Sequence, residues 1–464
     1  MISIIKQHSR TLYLTCLFVM APLWNIPHTI AVRYFFAFFL LIILFFSGLD
    51  WRLFFRGNKI LLGLFCYLVV HLIFFTTDFP AALNNFLSEW MILIVFSILG
   101  AGTGLLLARD GPKRMLLFLG IAFTVPLLIH LGASLYEGLK RMSIPWGYWG
   151  INEMHGDLGY TAIHGTIFLS MFLLFQAKEF KEKATALCLL LTCLASPLLA
   201  SSRGGTIFVL IILMVVALID LAFKFQHELT LKKQIIGLVA ILVVSSLVIK
   251  IGTEVDPVRW KGALSRLQMG LMGDPIQITC KGTGVVKKQL EDAGVVIAPE
   301  ILRLLDSIQN GDGGRVVTAR AALALAGANP WGINQSKQAY EIALSQVCNP
   351  VIRISPAHNG WLDTALAIGI PGAMLYFLVL LNFAKSGYRS MRLDAVNRPY
   401  SVALFTMSSI WIVRAFFDST QRDQMLEMQI FTIALLSGFI ASREQPRRET
   451  LDLNSIGPIE QISK

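Results

Sequence analysis

The sequence predicts an all-α polytopic membrane protein, and three observations carry that prediction. Of its 464 residues, 55% are hydrophobic and only 15% are charged, whereas a soluble domain has about a quarter of its residues charged. Mean hydropathy is +0.64. Apolar runs near the ~20 residues that cross a bilayer core recur along the chain. The strict alternation of a transmembrane β-barrel is absent.

Hydropathy places about twelve spans, at roughly 11–28, 32–49, 59–76, 86–108, 114–135, 160–177, 184–200, 205–223, 234–251, 360–384, 399–416 and 425–441. Lys6 and Arg10 precede the first run as in a secretory signal, but no small-residue cleavage site follows, so an uncleaved first helix is expected. Several spans contain Pro or Gly, which membrane helices tolerate where neighbours re-satisfy the backbone. Neither a fixed-period repeat nor an inverted one is evident.

Lys and Arg orient the chain. With the N-terminus inside, inside segments hold 22 of the 40 cations and short outside segments hold 6. Of the other 12, Lys250 ends the ninth span and 11 lie in one long loop, which translocates largely regardless of charge. Both termini are therefore expected in the cytoplasm. The expected organisation is spans 1–9 in 1–251, an outside loop at 252–358, spans 10–12 in 359–441, and a cytoplasmic tail at 442–464. Within the loop, "VVKKQLEDAG", "APEILRLLDSIQN" and "GRVVTARAALALAGANP" read as helices. A second outside segment, 136–160, is aromatic-rich and suits an interface or the lining of a cleft.

The net charge of +11 is explained by topology rather than by nucleic acid, since no loop interleaves a basic cluster with aromatics. Cys16, Cys66, Cys188 and Cys193 fall in apolar spans and read as small buried hydrophobes. Cys280 and Cys348 share the outside loop, where they either remain thiols or pair as a disulfide. No CxxC or Cys/His ligand spacing occurs, so neither a metal site nor a cofactor is expected.

Among eight histidines, His358 stands apart. His8 and His227 are expected inside, and His71 lies mid-span. His28, His130, His155 and His164 lack a distinctive local pattern, whereas His358 opens "HNGWLD" at the seam of loop and span. Alone it reads as an interfacial residue or a helix cap. Two arginines change that reading. Arg203 sits in "ASSRGG", a short outside turn between spans. Arg315 follows the Gly-rich "NGDGG" at a helix start, where backbone N–H groups favour anions. Arg320 is the competing cation of that helix. Topology brings Arg203, Arg315 and His358 to one membrane face. Two fixed cations beside an imidazole of ordinary pKa ~6.5 suit a diphosphate and a proton transfer. An apolar chain ending in pyrophosphate is the ligand such a lip fits. Arg414 and Asp418, four residues apart at the outer end of the eleventh span, are secondary candidates for shaping the cleft. Asp363, five residues past His358, misses the three-or-four helical spacing and is not read as its catalytic partner.

"SSRGG", then "GGR" with "ANPWG", then "AHNGWLDTALAIGIPG" with Gly369 and Gly372 occur in that order. In these motifs the chain resembles the O-antigen ligase/O-antigen polymerase superfamily of bacterial envelope glycosyltransferases. The resemblance departs at "VVTARAA", where some members carry a tryptophan after the second arginine. It implies a GT-C-like glycosyltransferase of the bacterial inner membrane with a large helical periplasmic loop. It further implies that Arg203 and Arg315 bind the diphosphate of an undecaprenyl-diphosphate-linked glycan donor, and that His358 acts on the acceptor hydroxyl. The expected acceptor is lipid A–core, the expected reaction inverting and independent of metal and ATP, and the expected partners these two substrates and membrane lipids. Polymerase and protein O-oligosaccharyltransferase use the same donor and are the alternatives. A polyprenyl-linked glycan transporter should place ionisable groups mid-membrane, and the sequence offers mainly His71 there, with Glu89 near a span end.

Overall fold

The computed structural model describes residues 2–111, 114–150, 152, 155–223, 231–260, 263–310, 312–349, 356–421 and 423–455. Among the described residues the regular structure is helical throughout. Thirteen helices organise the molecule: α1 (Ile2–Leu23), α2 (Ile30–Phe46), α3 (Lys59–Phe74), α4 (Met91–Asp110), α5 (Met115–Arg141), α6 (His155–Phe175), α7 (Phe180–Leu199), α8 (Arg203–Phe223), α9 (Leu231–Val255), α10 (Asp312–Ala328), α11 (Gly360–Leu393), α12 (Arg398–Arg414) and α13 (Asp423–Ser455).

Each predicted span falls on a helix, and among the described residues eight helices are long and apolar enough to cross a membrane. They occupy Phe79–Arg109, Met115–Arg141, Asp157–Phe175, Phe180–Leu199, Arg203–Phe223, Gln234–Val255, Gly360–Leu393 and Asp423–Glu444. Arg10–Leu23, Ile30–Phe46 and Lys59–Phe74 are apolar but shorter, and α12 has 17 residues. For Ile30–Phe46 and Lys59–Phe74 the difference is one of length. A 16-residue helix such as α3 rises about 24 Å, short of a hydrocarbon core of about 30 Å.

Between α9 and α11 the predicted loop helices form at Gly284–Asp292, Pro299–Asn310 and α10, joined by Ala263–Met269, Pro275–Lys281 and Ala339–Val347. Ile278, Val286, Leu305 and Val317 give this region a small core of its own. Cys280 and Cys348 are bonded, with Cα atoms 5.2 Å apart across 68 residues. Closing a loop of that length removes about 4 kcal/mol of unfolded-chain entropy in the chain-entropy account.

The main packing seam runs between α4 and α13. Gly100 and Gly104 bring α4 against the backbone of Phe431 and Leu435, as small residues do between membrane helices. A second feature is a break in α11 at Ile368 and Gly369, the latter at φ +80°. Residues 330–335 lie across the break and replace its missing bonds. Ile333 N donates to Leu366 O at 2.7 Å, Gln335 N to Ala367 O at 3.1 Å and Ile370 N to Pro330 O at 2.9 Å. The Tyr67 hydroxyl takes Ile368 O at 2.8 Å. The freed backbone groups are thus satisfied within the protein, as a bilayer requires.

The interior holds more charge than the sequence reading assigned to it. Glu427 on α13 is 1% exposed. It accepts from Trp24 Nε1 at 2.9 Å, Tyr34 Oη at 3.2 Å and Arg33 Nη2 at 3.3 Å. Arg33, placed in a short outside segment from sequence, lies on α2 and is 3% exposed. Such a pair is stable inside only because each partner neutralises the other.

Candidate functional site

The site is assembled from three chain segments: the start of α10, the turn 356–359 before α11, and the turn 415–421 after α12. Asn359 starts α11, its side chain accepting from Leu362 N at 3.1 Å. Its amide donates to Phe416 O at 3.1 Å. Gly360 N reaches both Ala415 O at 2.7 Å and Asp418 O at 2.9 Å. From α10, Thr318 Oγ1 donates to Ala357 O at 3.1 Å and Arg315 Nη1 to Phe417 O at 3.3 Å. His358 stands where these bonds converge, half-buried and at φ +54°. That left-handed conformation is uncommon outside glycine, although histidine is one of the residues enriched in it.

Asp418 is the electrostatic centre. Its Oδ2 accepts the Tyr160 hydroxyl at 2.7 Å and lies 3.8 Å from Arg414 Nη2. Arg414, 2% exposed, lies over the Tyr160 ring at 4.0 Å and the Phe208 ring at 5.1 Å. Partial burial would push the Asp418 carboxyl up. Arg414, the Tyr160 hydroxyl, Arg315 and His358 together outweigh it and hold the carboxyl below its usual range. Arg315, His358, Arg414 and Asp418, four residues selected from sequence, therefore share one electrostatic neighbourhood.

Arg203 begins α8, half-buried, just after Ser201 at φ +53°. Its helix crosses α6 at the Gly159–Gly205 contact, where a Cβ on Gly205 would lie 2.7 Å from Gly159 Cα. Tyr160 follows immediately on α6, and Phe208 on α8 meets Arg414. The aromatic-rich segment turns onto the same corner, with Gly147 N donating to Leu199 O at 2.8 Å. Arg320 faces elsewhere. Its guanidinium donates to the carbonyls of Gly270, Met272 and Gly273 at 2.9–3.1 Å, closing the end of the Ala263–Met269 helix.

His71, His130 and His164 are buried and serve packing. His71 bonds Trp331 O at 2.6 Å, His130 bonds Tyr148 O at 2.9 Å, and His164 bonds Tyr160 O at 2.9 Å. The side chains of His8, His155 and His227 lie outside the described residues. Among the described residues no group of three His, Cys, Asp or Glu side chains is placed to hold a metal ion. Beside the site a cavity of about 20 Å³ is lined by Asp363, Ser419, Gln421, Gln335, Lys337 and Glu89, among others. That volume accommodates about one water. Sequence reasoning missed Tyr160, Thr318 and Ser419, since none sits in a motif and each acts only through a neighbour remote in the chain.

Residues 188–377 match the family model for O-antigen ligases. Over these residues, fewer than half of the chain, it is similar to O-antigen ligases. The match contains Arg203, Arg315, Arg320, His358 and the Gly369–Gly372 pair, and it ends before Arg414 and Asp418. No curated protein matches the chain. The O-antigen ligase family carries with it a ligase- or polymerase-type function, a glycosyltransferase-like activity, lipid-linked glycan substrates and membrane association.

Proposed function

We propose that this protein is an O-antigen ligase that moves a glycan from undecaprenyl diphosphate to a sugar hydroxyl of lipid A–core. The observation that carries the proposal is the meeting of His358, Arg315 and Asp418 from three separate segments. In this reading His358 takes the proton of the acceptor hydroxyl as its oxygen attacks the anomeric carbon. The bond from that carbon to the diphosphate breaks, and undecaprenyl diphosphate leaves with the electron pair. Arg203 and Arg315 hold the charge that develops on it. Asp418 stabilises the imidazolium in the way a carboxylate orients and supports a catalytic histidine. One displacement inverts the anomeric centre. Because guanidiniums neutralise the diphosphate, the reaction runs without divalent metal or ATP.

The accompanying architecture is a GT-C-type enzyme of twelve membrane-embedded helices in the inner membrane. Its domains are 1–251, the periplasmic loop 252–358, 359–441 and the cytoplasmic tail 442–464. The disulfide between Cys280 and Cys348 supports placing that loop in an oxidising compartment.

The test combines purified protein, undecaprenyl-diphosphate-linked glycan and lipid A–core. Glycan-bearing lipid A–core is the expected product, in EDTA as well as without it. An elongated donor would make the protein a polymerase instead. His358→Ala should lose the ~10²–10⁴-fold that a general base supplies while still binding donor. Full transfer by that variant would overturn the role of His358.

A further inference from the structure

Asp363 is on the first turn of α11, five residues past His358, where helical spacing does not bring their side chains together. Its carboxylate reaches backwards instead. Oδ1 accepts the N–H of Ala357 at 3.0 Å, and Oδ2 accepts the hydroxyl of Ser419 at 2.5 Å. Ala357 is the residue before His358, and Ser419 is the residue after Asp418. One carboxylate therefore grips the chain neighbour of His358 and the chain neighbour of Asp418.

We infer that Asp363 is a positioning residue that sets the His358 imidazole against Asp418, an inference that rests on His358 being the base. Three physical points support it. A non-glycine residue at φ +54° persists only where its surroundings over-determine it. Ala357 is held at its N–H by Asp363 and at its C=O by Thr318, which fixes the peptide leading into His358. Second, hydrogen bonds to an ionised carboxylate are about twice as strong as neutral ones, so Asp363 is a stiff clamp. Third, a carboxylate in the first turn of a helix is favoured by the helix dipole, so the ionised clamp is stable where it stands. The cavity beside it brings Lys337 and Glu89 to the same neighbourhood, an ion pair of 3.1 Å.

The experiment measures transfer by the full-length protein with undecaprenyl-diphosphate-linked glycan and lipid A–core. Asp363→Ala should lower kcat by up to about 10²-fold, the scale of a misplaced catalytic group, with donor KM and melting temperature unchanged. Asp363→Asn keeps an acceptor for Ala357 N–H and should recover part of that loss. Ser419→Ala removes only the second grip and should fall less than Asp363→Ala. Adding Asp363→Ala to His358→Ala should lower the rate no further. Wild-type kcat in Asp363→Ala, with His358→Ala inactive, overturns the positioning role alone. Activity in His358→Ala overturns the base assignment on which it rests. Loss of donor binding and melting temperature in step with kcat, in both Asp363→Ala and Ser419→Ala, would make the contact a general structural one and also overturn the inference.

Discussion

At the scale of single residues, Asp418 decides the character of the site. A carboxylate among Arg414, Arg315, His358 and the Tyr160 hydroxyl stays ionised below the usual carboxylate range despite its partial burial. Its contribution to stability is complete above the ordinary value of 3.8 and is lost as pH falls through the lowered folded value. Arg414→Leu removes the largest of the groups that lower the Asp418 carboxyl. The folded carboxyl then rises, and the charged form loses that support at neutral pH. The expected cost is about 1–3 kcal/mol, below the ~3–5 of a fully buried broken pair, because the Asp418 side chain remains 26% exposed. Thermal unfolding in detergent should show this gap to wild type narrowing as pH falls toward 4. A gap that widens on acidification would refute the arrangement. His358 and Arg315 were legible in the sequence because each stands in a local motif. Tyr160 and Ser419 were not, because their roles are created by segments remote in the chain. Asp363 was legible as a residue, but its partners lie behind it in the turn rather than along the helix.

Among the elements, the helices were readable because a span is a local hydropathy signal. The strap at 330–335 was not, because its bonds go to another helix. Its glycines state the requirement most clearly. Gly369 combines φ +80° with a site where a Cβ would lie 2.9 Å from Pro330 O, and a Cβ on Gly332 would strike the Gly369 nitrogen. Gly372 leaves room for Tyr67, whose ring carbon would lie 2.7 Å from an added Cβ, so that its hydroxyl can reach Ile368 O. The Gly369–Gly372 motif is therefore a requirement of the broken helix before it is anything chemical. Gly369→Ala should destabilise the protein by about 1–3 kcal/mol from backbone strain alone. Gly327→Ala, in α10 with nothing near its added Cβ, should be neutral or stabilising by up to about 1 kcal/mol. Equal melting temperatures for the two variants would contradict the strap.

For the whole molecule the open quantity is orientation, which no single contact fixes. The cation count of 22 against 6 argues by insertion physics that the termini stay cytoplasmic. The bonded Cys280 and Cys348 argue independently, by redox chemistry, that the loop between α9 and α11 is translocated. The two arguments share no residue, since the long loop was left out of the count. They also agree with the proposed transfer from a diphosphate-linked donor outside the cytoplasm. The buried Arg33–Glu427 pair adds a constraint. With Arg33 inside the protein at the α2 end, that cation serves α13 rather than topology, and the outside count falls further. Reporter fusions test the orientation directly. Alkaline phosphatase inserted near residue 294, at the end of the Gly284–Asp292 helix, should be active, and the same enzyme fused after residue 441 should be inactive. A fluorescent protein that matures only in the cytoplasm should give the opposite pattern. Activity of phosphatase at the second position would invert the molecule, put His358 on the cytoplasmic side, and leave the disulfide without an oxidising compartment.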